Sequence, residues 1–150
     1  MYQLPYFCLA LLLLAGSLST CGGEAGSTHI ALSDLSGPTW QLEKMKSDGA
    51  ETEVPKEVLI TLRVDASGKA TGRSAVNRYF AKLNGGGSEP IQFSTGAIGS
   101  TRMAGPPDHM KLESAYLSAL ARVRSGTRSD KSLILRSEDG SDVLEFVAGK

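Results

Sequence analysis

Short stretches in which apolar and polar residues alternate constrain the fold of this chain more than any other feature. The clearest stripe consists of apolar residues two positions apart: Val58, Ile60, Leu62 and Val64. Successive side chains of a β-strand point to opposite faces, so this spacing predicts a strand with one buried face. Trp40 and Leu42 have the same spacing and are predicted to lie on the buried face of an earlier strand.

Turn residues divide the other alternating stretches into hairpins. The run Asp65-Ala66-Ser67-Gly68 is typical of a tight turn and leads into a predicted strand over residues 69–74. Further strands are predicted over residues 78–83 and 91–93. A final hairpin is predicted from residues 132–136 to residues 143–147, with its turn at Glu138-Asp139-Gly140.

One segment has the period of an amphipathic helix instead. After Pro106-Pro107, apolar residues recur at helical spacing: Leu112, Tyr116, Leu120 and Val123. Asp108 is predicted to cap the helix through its carboxylate, and Gly126 to end it. The sequence therefore predicts an α+β fold, an antiparallel β-sheet or open barrel with one α-helix inserted before the C-terminal hairpin.

Charge and cysteine content limit the kinds of partner and of stabilisation. The chain has 16 basic and 16 acidic side chains, so its net charge is zero, and the two signs are interleaved along the sequence. This pattern has no basic stripe, so we expect no nucleic-acid partner. The two cysteines are Cys8 and Cys21, so the chain beyond them must be stabilised by packing without a disulfide.

The first twenty residues have the pattern of an export signal. Residues 9–15 are all apolar. A run this short cannot span a bilayer, which takes about 20 residues, but it fits the hydrophobic core of a secretory signal. The sequence Leu18-Ser19-Thr20-Cys21 then resembles the lipobox of bacterial lipoproteins. In those proteins the cysteine is lipidated and becomes the first mature residue, so we expect residues 1–20 to be removed and Cys21 to carry the lipid.

The anchor prediction has one alternative and two consequences. No basic side chain precedes Lys44, so an ordinary secretory signal that leaves a soluble periplasmic or secreted protein stays open. Residues 21–36 begin with a Gly-rich polar stretch typical of a flexible tether, and residues 37–150 are expected to form the domain. Gly22 differs from the Asp of an inner-membrane retention signal, which favours the periplasmic face of the outer membrane.

Short motifs follow one another in a recognisable order from residue 37 to residue 147. They are Trp40-Gln41-Leu42, Leu62-Arg63-Val64-Asp65 with Gly68, Gly72, Ala75-Val76-Asn77-Arg78-Tyr79, Thr101-Arg102-Met103-Ala104-Gly105, and Leu112-Glu113 with Tyr116. The series resembles the META domain family of HslJ-like heat-shock envelope lipoproteins. The resemblance implies structural roles at the motif positions Trp40, Gly72, Asn77, Tyr79, Thr101, Met103 and Ala104.

The residue types suggest what some of these positions do. We expect Trp40 in the core and Asn77 hydrogen-bonded to backbone where the chain turns. Tyr79 is expected to pack with its hydroxyl at the rim of the domain. Thr101 and Met103 are expected in a loop that closes over the sheet edge, with the Met103 side chain filling a gap in the core.

Two cysteines that are usual in the family are absent here. The family usually reads Gly-Cys-Asn where this chain has Ala75-Val76-Asn77, and Met-Ala-Cys where it has Met103-Ala104-Gly105. A single remaining thiol would be liable to oxidation outside the cytoplasm, which explains why both are missing together. We infer that positions 76 and 105 face each other in the fold.

Residue types that carry catalysis or bind metals are sparse. His29 and His109 are far apart, and the sequence contains neither HxxxH nor CxxC spacing, so we expect no metal and no cofactor. There is no GxSxG nucleophile elbow, and Glu138-Asp139 belong to a turn signal. These features favour a protein that is not an enzyme.

The combined prediction is a monomeric envelope lipoprotein, held at the membrane by its lipid, that supports envelope integrity or tolerance of stress and antibiotics. An envelope protein is its expected partner. Two alternatives stay open. One is a periplasmic binding module or inhibitor that captures an enzyme or peptide. The other is a small hydrolase, which would require a deep pocket and a strongly shifted pKa.

Overall fold

The structure is an antiparallel β-barrel that carries one α-helix. A computed structural model describes residues 32–87 and 90–149 of the chain. The elements, in chain order, are a 3-10 helix (Leu32–Leu35), β1 (Trp40–Ser47), β2 (Ala50–Glu53), β3 (Thr61–Val64), β4 (Lys69–Arg73), β5 (Arg78–Gly85), β6 (Ile91–Thr95), β7 (Gly99–Ser100), α1 (Pro107–Arg122), β8 (Val123–Arg128), β9 (Ser132–Ser137) and β10 (Val143–Ala148).

Eight strands of the described chain close into a barrel. Neighbours follow the order β1, β3, β4, β5, β6, β8, β9 and β10, and β10 pairs back with β1. The short strands β2 and β7 lie outside this ring, where they pair with β1 and β5. The α+β prediction of an antiparallel sheet with one helix is confirmed. The predicted barrel was an open one, whereas the pairing of first and last strands closes it.

The alternating stripes face the interior of the barrel. Leu62 and Val64 of β3 are buried, as are Val58 and Ile60 just before that strand. Trp40 is fully buried at the start of β1. Each large apolar side chain buried in this way contributes about 1.5–3 kcal/mol, so the stripes account for much of the stability of the barrel.

The helix begins at a pair of prolines. Pro106 occupies the cap position without a side-chain cap, α1 begins at Pro107, and the Met110 N–H donates to the Pro106 carbonyl at 3.0 Å. Asp108 therefore lies inside the first turn, where its charge suits the positive end of the helix. The prediction that Asp108 caps the helix is wrong, because the fixed φ of proline already starts the helix one residue earlier.

The apolar stripe of the helix packs on the barrel as predicted. Leu112, Tyr116 and Leu120 are buried, and α1 contacts β1, β6, β9 and β10. The Tyr116 ring meets the Phe146 ring edge-on, with 6.5 Å between centroids. Tyr116 therefore places a polar hydroxyl on a largely apolar face, deep in the domain.

The helix ends earlier than predicted. Val123 is already extended, with φ −61° and ψ 142°, and it begins β8 without a loop. Gly126 lies within β8, between Ile91 and Leu135 of the neighbouring strands. A Cβ atom on Gly126 would come within 3.0 Å of the Leu135 side chain. Gly126 therefore makes room within the sheet, and the prediction that it ends the helix is wrong.

The packed domain begins before Gly37. Leu35 of the 3-10 helix is fully buried, and its carbonyl accepts a hydrogen bond from Trp40 Nε1 at 3.4 Å. Arg128 lies over the Trp40 ring, 5.4 Å from its centroid, and donates to the Ser36 carbonyl at 3.0 Å. The tether was predicted over residues 21–36, but its last residues, Leu35 and Ser36, are thus part of the domain. No helix in the described part of the chain is long and apolar enough to cross a membrane.

Candidate functional site

Asn77 is the centre of a buried polar cluster that draws several motif positions together. It lies just before β5 and is 2% exposed. Its Oδ1 atom accepts from the Thr101 hydroxyl at 2.7 Å and from the Met103 N–H at 2.8 Å, while Nδ2 donates to the Met103 carbonyl at 3.2 Å. The prediction that Asn77 hydrogen-bonds backbone at a turn is confirmed, and the segment 101–103 is thereby fixed to the start of β5.

The other half of the cluster is the carboxylate of Glu113, which comes from α1 and is 6% exposed. Oε2 accepts from Ser74 Oγ at 3.0 Å, from the Val76 N–H at 3.1 Å and from the Asn77 N–H at 2.8 Å. Oε1 accepts from Asn77 Nδ2 at 2.8 Å. Burying a carboxylate costs several kcal/mol unless hydrogen bonds replace its water, and four donors do so here.

The cluster keeps Glu113 ionised. Burial by itself raises the pKa of the Glu113 carboxyl, but hydrogen bonds from Asn77, Ser74 and Val76 outweigh it and hold the pKa below the ordinary value of 4.5. Both oxygens accept hydrogen bonds, and three of the four donors converge on Oε2. The geometry therefore suits a carboxylate that joins the helix to the barrel rather than a catalytic base.

The backbone conformation at Ala75 places two N–H donors next to this carboxylate. Ala75 has φ +80°, a left-handed conformation that costs a non-glycine residue about 1–2 kcal/mol. This turn directs the successive N–H groups of Val76 and Asn77 to the same oxygen of Glu113. The family resemblance implies glycine at position 75, which agrees with the positive φ.

Two tyrosine hydroxyls meet inside the domain. The Tyr79 hydroxyl donates its one proton to the Thr61 carbonyl at 2.9 Å, because a carbonyl can only accept. The Tyr116 hydroxyl must therefore be the donor to the Tyr79 oxygen, at 2.7 Å. Burial raises the pKa of Tyr79 and of Tyr116. The prediction that the Tyr79 hydroxyl lies at the rim is wrong, because the hydroxyl finds its partners in the interior.

Gly72 makes this tyrosine pair possible. A Cβ atom on Gly72 would lie 1.9 Å from the Thr61 carbonyl oxygen and 3.0 Å from the Tyr79 ring. Only a residue without a side chain leaves room for the phenol to reach that carbonyl. The motif position Gly72 is thus explained by close packing.

The remaining motif positions divide between core and surface. Trp40 is fully buried, as predicted. Met103 is 54% exposed, so the prediction that its side chain fills a core gap is wrong; the cluster uses its backbone instead. Ala104 is exposed and Thr101 serves the cluster through its hydroxyl. Cys21, the predicted lipid attachment site, lies outside the described residues.

Positions 76 and 105 face each other, as inferred from the missing cysteines. A Cβ atom built on Gly105 would lie 3.3 Å from the Cβ atom of Val76 and 2.6 Å from one of its methyl groups. The Cβ atoms of a disulfide are separated by about 3.8 Å. Because both cysteines are absent, the chain lacks the contact that they would make between positions 76 and 105, and neither position carries a free thiol.

A second buried carboxylate, Asp142, pairs with the last residue of the helix. Arg122 donates from Nε to Oδ2 at 2.6 Å and from Nη2 to Oδ1 at 2.8 Å, and Asp142 is fully buried. Arg122 also reaches Asp48 at 2.9 Å. The hydrogen bonds from Arg122 lower the pKa of Asp142. This bidentate pair fixes the end of α1 to the turns that follow β1 and precede β10.

The roles of Glu113, Asp142 and Arg122 were not predicted from the sequence. Glu113 gave a signal, because it lies three residues before Tyr116 and seven before Leu120, on the apolar face of the helix. Arg122 lies in the last turn of the helix, where its sequence position indicates only a favourable interaction with the helix dipole. Its partner is twenty residues away along the chain, and no local pattern connects the two.

Two of the surface depressions are open and lined by charged side chains of both signs. The larger one, about 780 Å³, lies along β1, β2 and β10 and includes Glu43, Lys44, Glu51 and Lys56. A smaller one, about 330 Å³, lies between β2 and the start of α1 beside His109. The described residues contain no group of three or more His, Cys, Asp or Glu that could hold a metal ion.

These positions belong to one family pattern. A sequence model of the META domain matches residues 33–150. The chain belongs to the META domain family. The match includes every strand, the helix and the whole Asn77–Glu113 cluster, so the motif series seen in the sequence is that of a META domain. No curated protein matches the chain at a significant level.

Solved structures share the fold of this META domain. An NMR structure of a protein from Burkholderia xenovorans is 28% identical with a TM-score of 0.61, and the match covers 79% of this chain and 86% of that one. A second NMR structure is 15% identical, with a TM-score of 0.54 and coverage of 78% and 93%. A crystal structure of a DUF4847 family protein from Bacteroides vulgatus is 11% identical, with a TM-score of 0.54 and coverage of 77% and 95%. At these identities the last two show similarity of fold alone.

Proposed function

We propose that this META-domain protein is a non-enzymatic lipoprotein of the bacterial cell envelope, anchored through Cys21. The observation that carries the proposal is the apolar run 9–15 followed by Leu18-Ser19-Thr20-Cys21. Each methylene of an attached acyl chain contributes about 0.8 kcal/mol in the membrane, and several chains together make a stable anchor. Gly22 supports sorting to the periplasmic face of the outer membrane.

The state of the buried polar groups supports a role without catalysis. The two buried carboxylates of the described chain, Glu113 and Asp142, are committed to Asn77 and Arg122, and neither lines the two charged depressions. The proposed role, by resemblance to the family, is support of envelope integrity under heat or antibiotic stress.

A second candidate is a binding module that captures an envelope enzyme or peptide. The depression along β1, β2 and β10 favours it, because its alternating charges suit a polar peptide. Crosslinking in whole cells followed by mass spectrometry separates the candidates: one dominant protein crosslinked through Lys44 or Lys56 supports capture, whereas a spread of weak neighbours supports the structural role.

Metabolic labelling with palmitate tests the anchor. We expect label in the wild-type protein and none in Cys21→Ser. Cys8→Ser is the matched control, because it removes the other thiol from the predicted signal and should keep the label. A wild-type protein that takes up no palmitate, or a Cys21→Ser variant that is labelled equally, contradicts the proposed anchor.

The stress role requires a separate experiment. A strain lacking the protein is expected to grow poorly under heat, detergent or antibiotic challenge, and wild-type protein should restore growth where Cys21→Ser does not. Growth equal to that of the parent strain in all three conditions would rule out the stress role and leave the anchor untouched.

A further inference from the structure

The outer face of three neighbouring barrel strands is strongly basic. We call it the basic face; it consists of Phe80 and five cationic residues of β3, β4 and β5: Arg63, Lys69, Arg73, Arg78 and Lys82. All six are exposed and lie on the side of the strands that points away from the core. Because charges are interleaved along the sequence, we expected no cluster of one sign. That expectation is wrong, since the five cations all lie between positions 63 and 82 and the pairing of three consecutive strands brings them onto one face.

The pairing of β4 with β5 sets like charges directly opposite each other. Lys69 pairs with Lys82, and Arg73 pairs with Arg78. Like charges in such pairs destabilise a sheet. Asp65 is the one acidic residue between positions 61 and 87, and its Oδ1 atom is occupied by the Ser67 and Lys69 N–H groups.

Within the described part of the chain, Asp65 is the one acidic group shown to attract a cation of the basic face, Lys82. Among the residues that the structure describes, the five cations form no ion pair; Lys82 donates to the Ser67 carbonyl and Arg73 to the Ala75 carbonyl. The face therefore has the charge pattern of a surface that meets an anionic partner.

An exposed aromatic ring lies in the middle of these cations. Phe80 is 57% exposed and pairs with Thr71 across β4 and β5. Its ring rests on Gly99 of β7, where an added Cβ atom would lie 2.3 Å from the ring. A shallow depression of about 690 Å³ extends beside the ring, bordered by Lys69, Arg73 and Arg78. An apolar ring surrounded by flexible cations suits the interface of a membrane.

The described chain begins next to this face. A Cβ atom on Gly68, in the turn between β3 and β4, would lie 3.2 Å from the Leu32 side chain. Cys21 precedes Leu32 by eleven positions, which reach at most about 40 Å when fully extended. A lipid at Cys21 would therefore keep the Lys69 and Lys82 end of the basic face within reach of the bilayer.

We propose that the basic face docks on the anionic phospholipid headgroups of the membrane that carries the anchor, with Phe80 at the headgroup level. The inference rests on the proposed function, because the anchor brings the face to the bilayer. A single-stranded nucleic acid suits the face less well, since such ligands are bound by several stacked aromatic residues. Phe80 is the one aromatic residue that the described chain exposes.

Lysine footprinting of the full-length protein tests this docking. The protein is reconstituted in vesicles of phosphatidylcholine alone and in vesicles that also contain phosphatidylglycerol, and an amine-reactive reagent is read out residue by residue by mass spectrometry. We expect Lys69 and Lys82 to react several times more slowly in the anionic vesicles. Lys56 and Lys111, exposed on other faces, serve as internal controls and should react equally in both. High salt should abolish the difference.

A pair of variants makes the test specific for the basic face. Each Lys or Arg near an anionic surface strengthens binding by roughly fivefold. Arg73→Glu/Arg78→Glu should therefore remove the protection of Lys69 and Lys82. Lys56→Glu/Lys111→Glu changes the net charge by the same amount and should retain that protection.

The outcomes separate the docking from the anchor. Equal reactivity of Lys69 and Lys82 in both vesicles overturns the docking even when Cys21 is acylated. Protection in the anionic vesicles supports it even if palmitate labelling fails. Stronger protection of the same lysines by a single-stranded oligonucleotide than by anionic vesicles would overturn the lipid assignment.

Discussion

Single side chains decide how the loops of this META domain lie. The Asn77 amide accepts from Thr101 and Met103 and donates to Met103 and Glu113, so its full hydrogen-bonding capacity is used. Neither aspartate nor leucine supplies both donors and acceptors at this position. The sequence allowed a structural role for Asn77 to be predicted, because an amide where a strand begins commonly bonds backbone. Its partner Glu113 was missed, since a lone carboxylate on a helix is usually solvated.

Glu113→Gln tests the cluster at this scale. The new amide would point a donor at groups that already donate, so the variant should lose about 2–4 kcal/mol of unfolding free energy in urea denaturation. Glu138→Gln is the control, because that side chain is exposed in the turn after β9, and it should change stability by less than about 0.5 kcal/mol. Equal stability of the two variants would contradict a stabilising role of the cluster.

The same variant has an expected pH signature. The folded-state pKa of Glu113 is lowered, so its stabilisation is present above the ordinary value of 4.5 and is lost as the pH falls through the folded pKa. The stability difference between wild type and Glu113→Gln should therefore shrink as the pH is lowered below 4.5. A difference that grows on acidification would show that the carboxylate is not stabilised in the folded state.

Ala75→Gly is expected to stabilise the domain. Ala75 has φ +80°, and glycine adopts this conformation without the steric cost. Glycine also gives the unfolded chain more conformational freedom, which offsets part of this gain. The free energy of unfolding should therefore rise by a few tenths to about 1 kcal/mol in melting or urea experiments. Ala66→Gly, in the exposed turn after β3, is the control and should be neutral or destabilising, because Ala66 has no positive φ. Destabilisation at both positions would contradict the strained turn.

At the scale of whole elements, periodicity predicted the buried faces of helices and strands well. It did not predict where one element ends and the next begins. The buried faces of β3, β5 and α1 were predicted because one side of each faces the core. The strand β8 was missed because Val123 changes from helix to strand without a turn residue to signal it. The strands β2 and β7 lie outside the closed barrel and bury little of their surface, so they leave no alternating pattern.

Leu120→Asp tests the packing of the helix on the barrel. Leu120 is fully buried, so an unpaired carboxylate there should cost at least about 3 kcal/mol or unfold the domain. Ser118→Asp places the same charge on the exposed side of α1 and should leave the thermal transition nearly unchanged. Circular dichroism at increasing temperature measures both. Two unchanged transitions would mean that the stripe does not face the core.

A disulfide between positions 76 and 105 should connect the start of β5 to the segment before α1. Cysteine at position 76 removes both Val76 methyl groups that an added Cβ at Gly105 would contact and puts a sulfur atom in place of one of them. Val76→Cys/Gly105→Cys should oxidise spontaneously and gain about 3–4 kcal/mol in the chain-entropy model. Val76→Cys/Gly105→Ser has nearly the same size and cannot form the bond. A pair that stays reduced under oxidising conditions, seen by thiol titration, would place the two positions too far apart.

At the scale of the whole molecule, the decisive contacts join residues that are distant in sequence. Pairing of β1 with β10 closes the barrel, Arg122 meets Asp142, and three strands assemble the basic face. Neither the closure of the barrel nor the Arg122–Asp142 pair has a local signature, because both depend on how strands are ordered around the barrel. The basic face does have one, since its five cations lie in a stretch whose one acidic residue is Asp65. The proposed export signal also lies in one continuous stretch, so a signal and a lipid site at Cys21 can be predicted from the sequence alone.

Intact-mass spectrometry of the native protein from separate cell fractions tests the central claim, that the chain is exported and held at the membrane by Cys21. We expect a membrane-bound species with the mass of residues 21–150 plus that of its acyl groups. A cytosolic species of all 150 residues without acyl groups would contradict it.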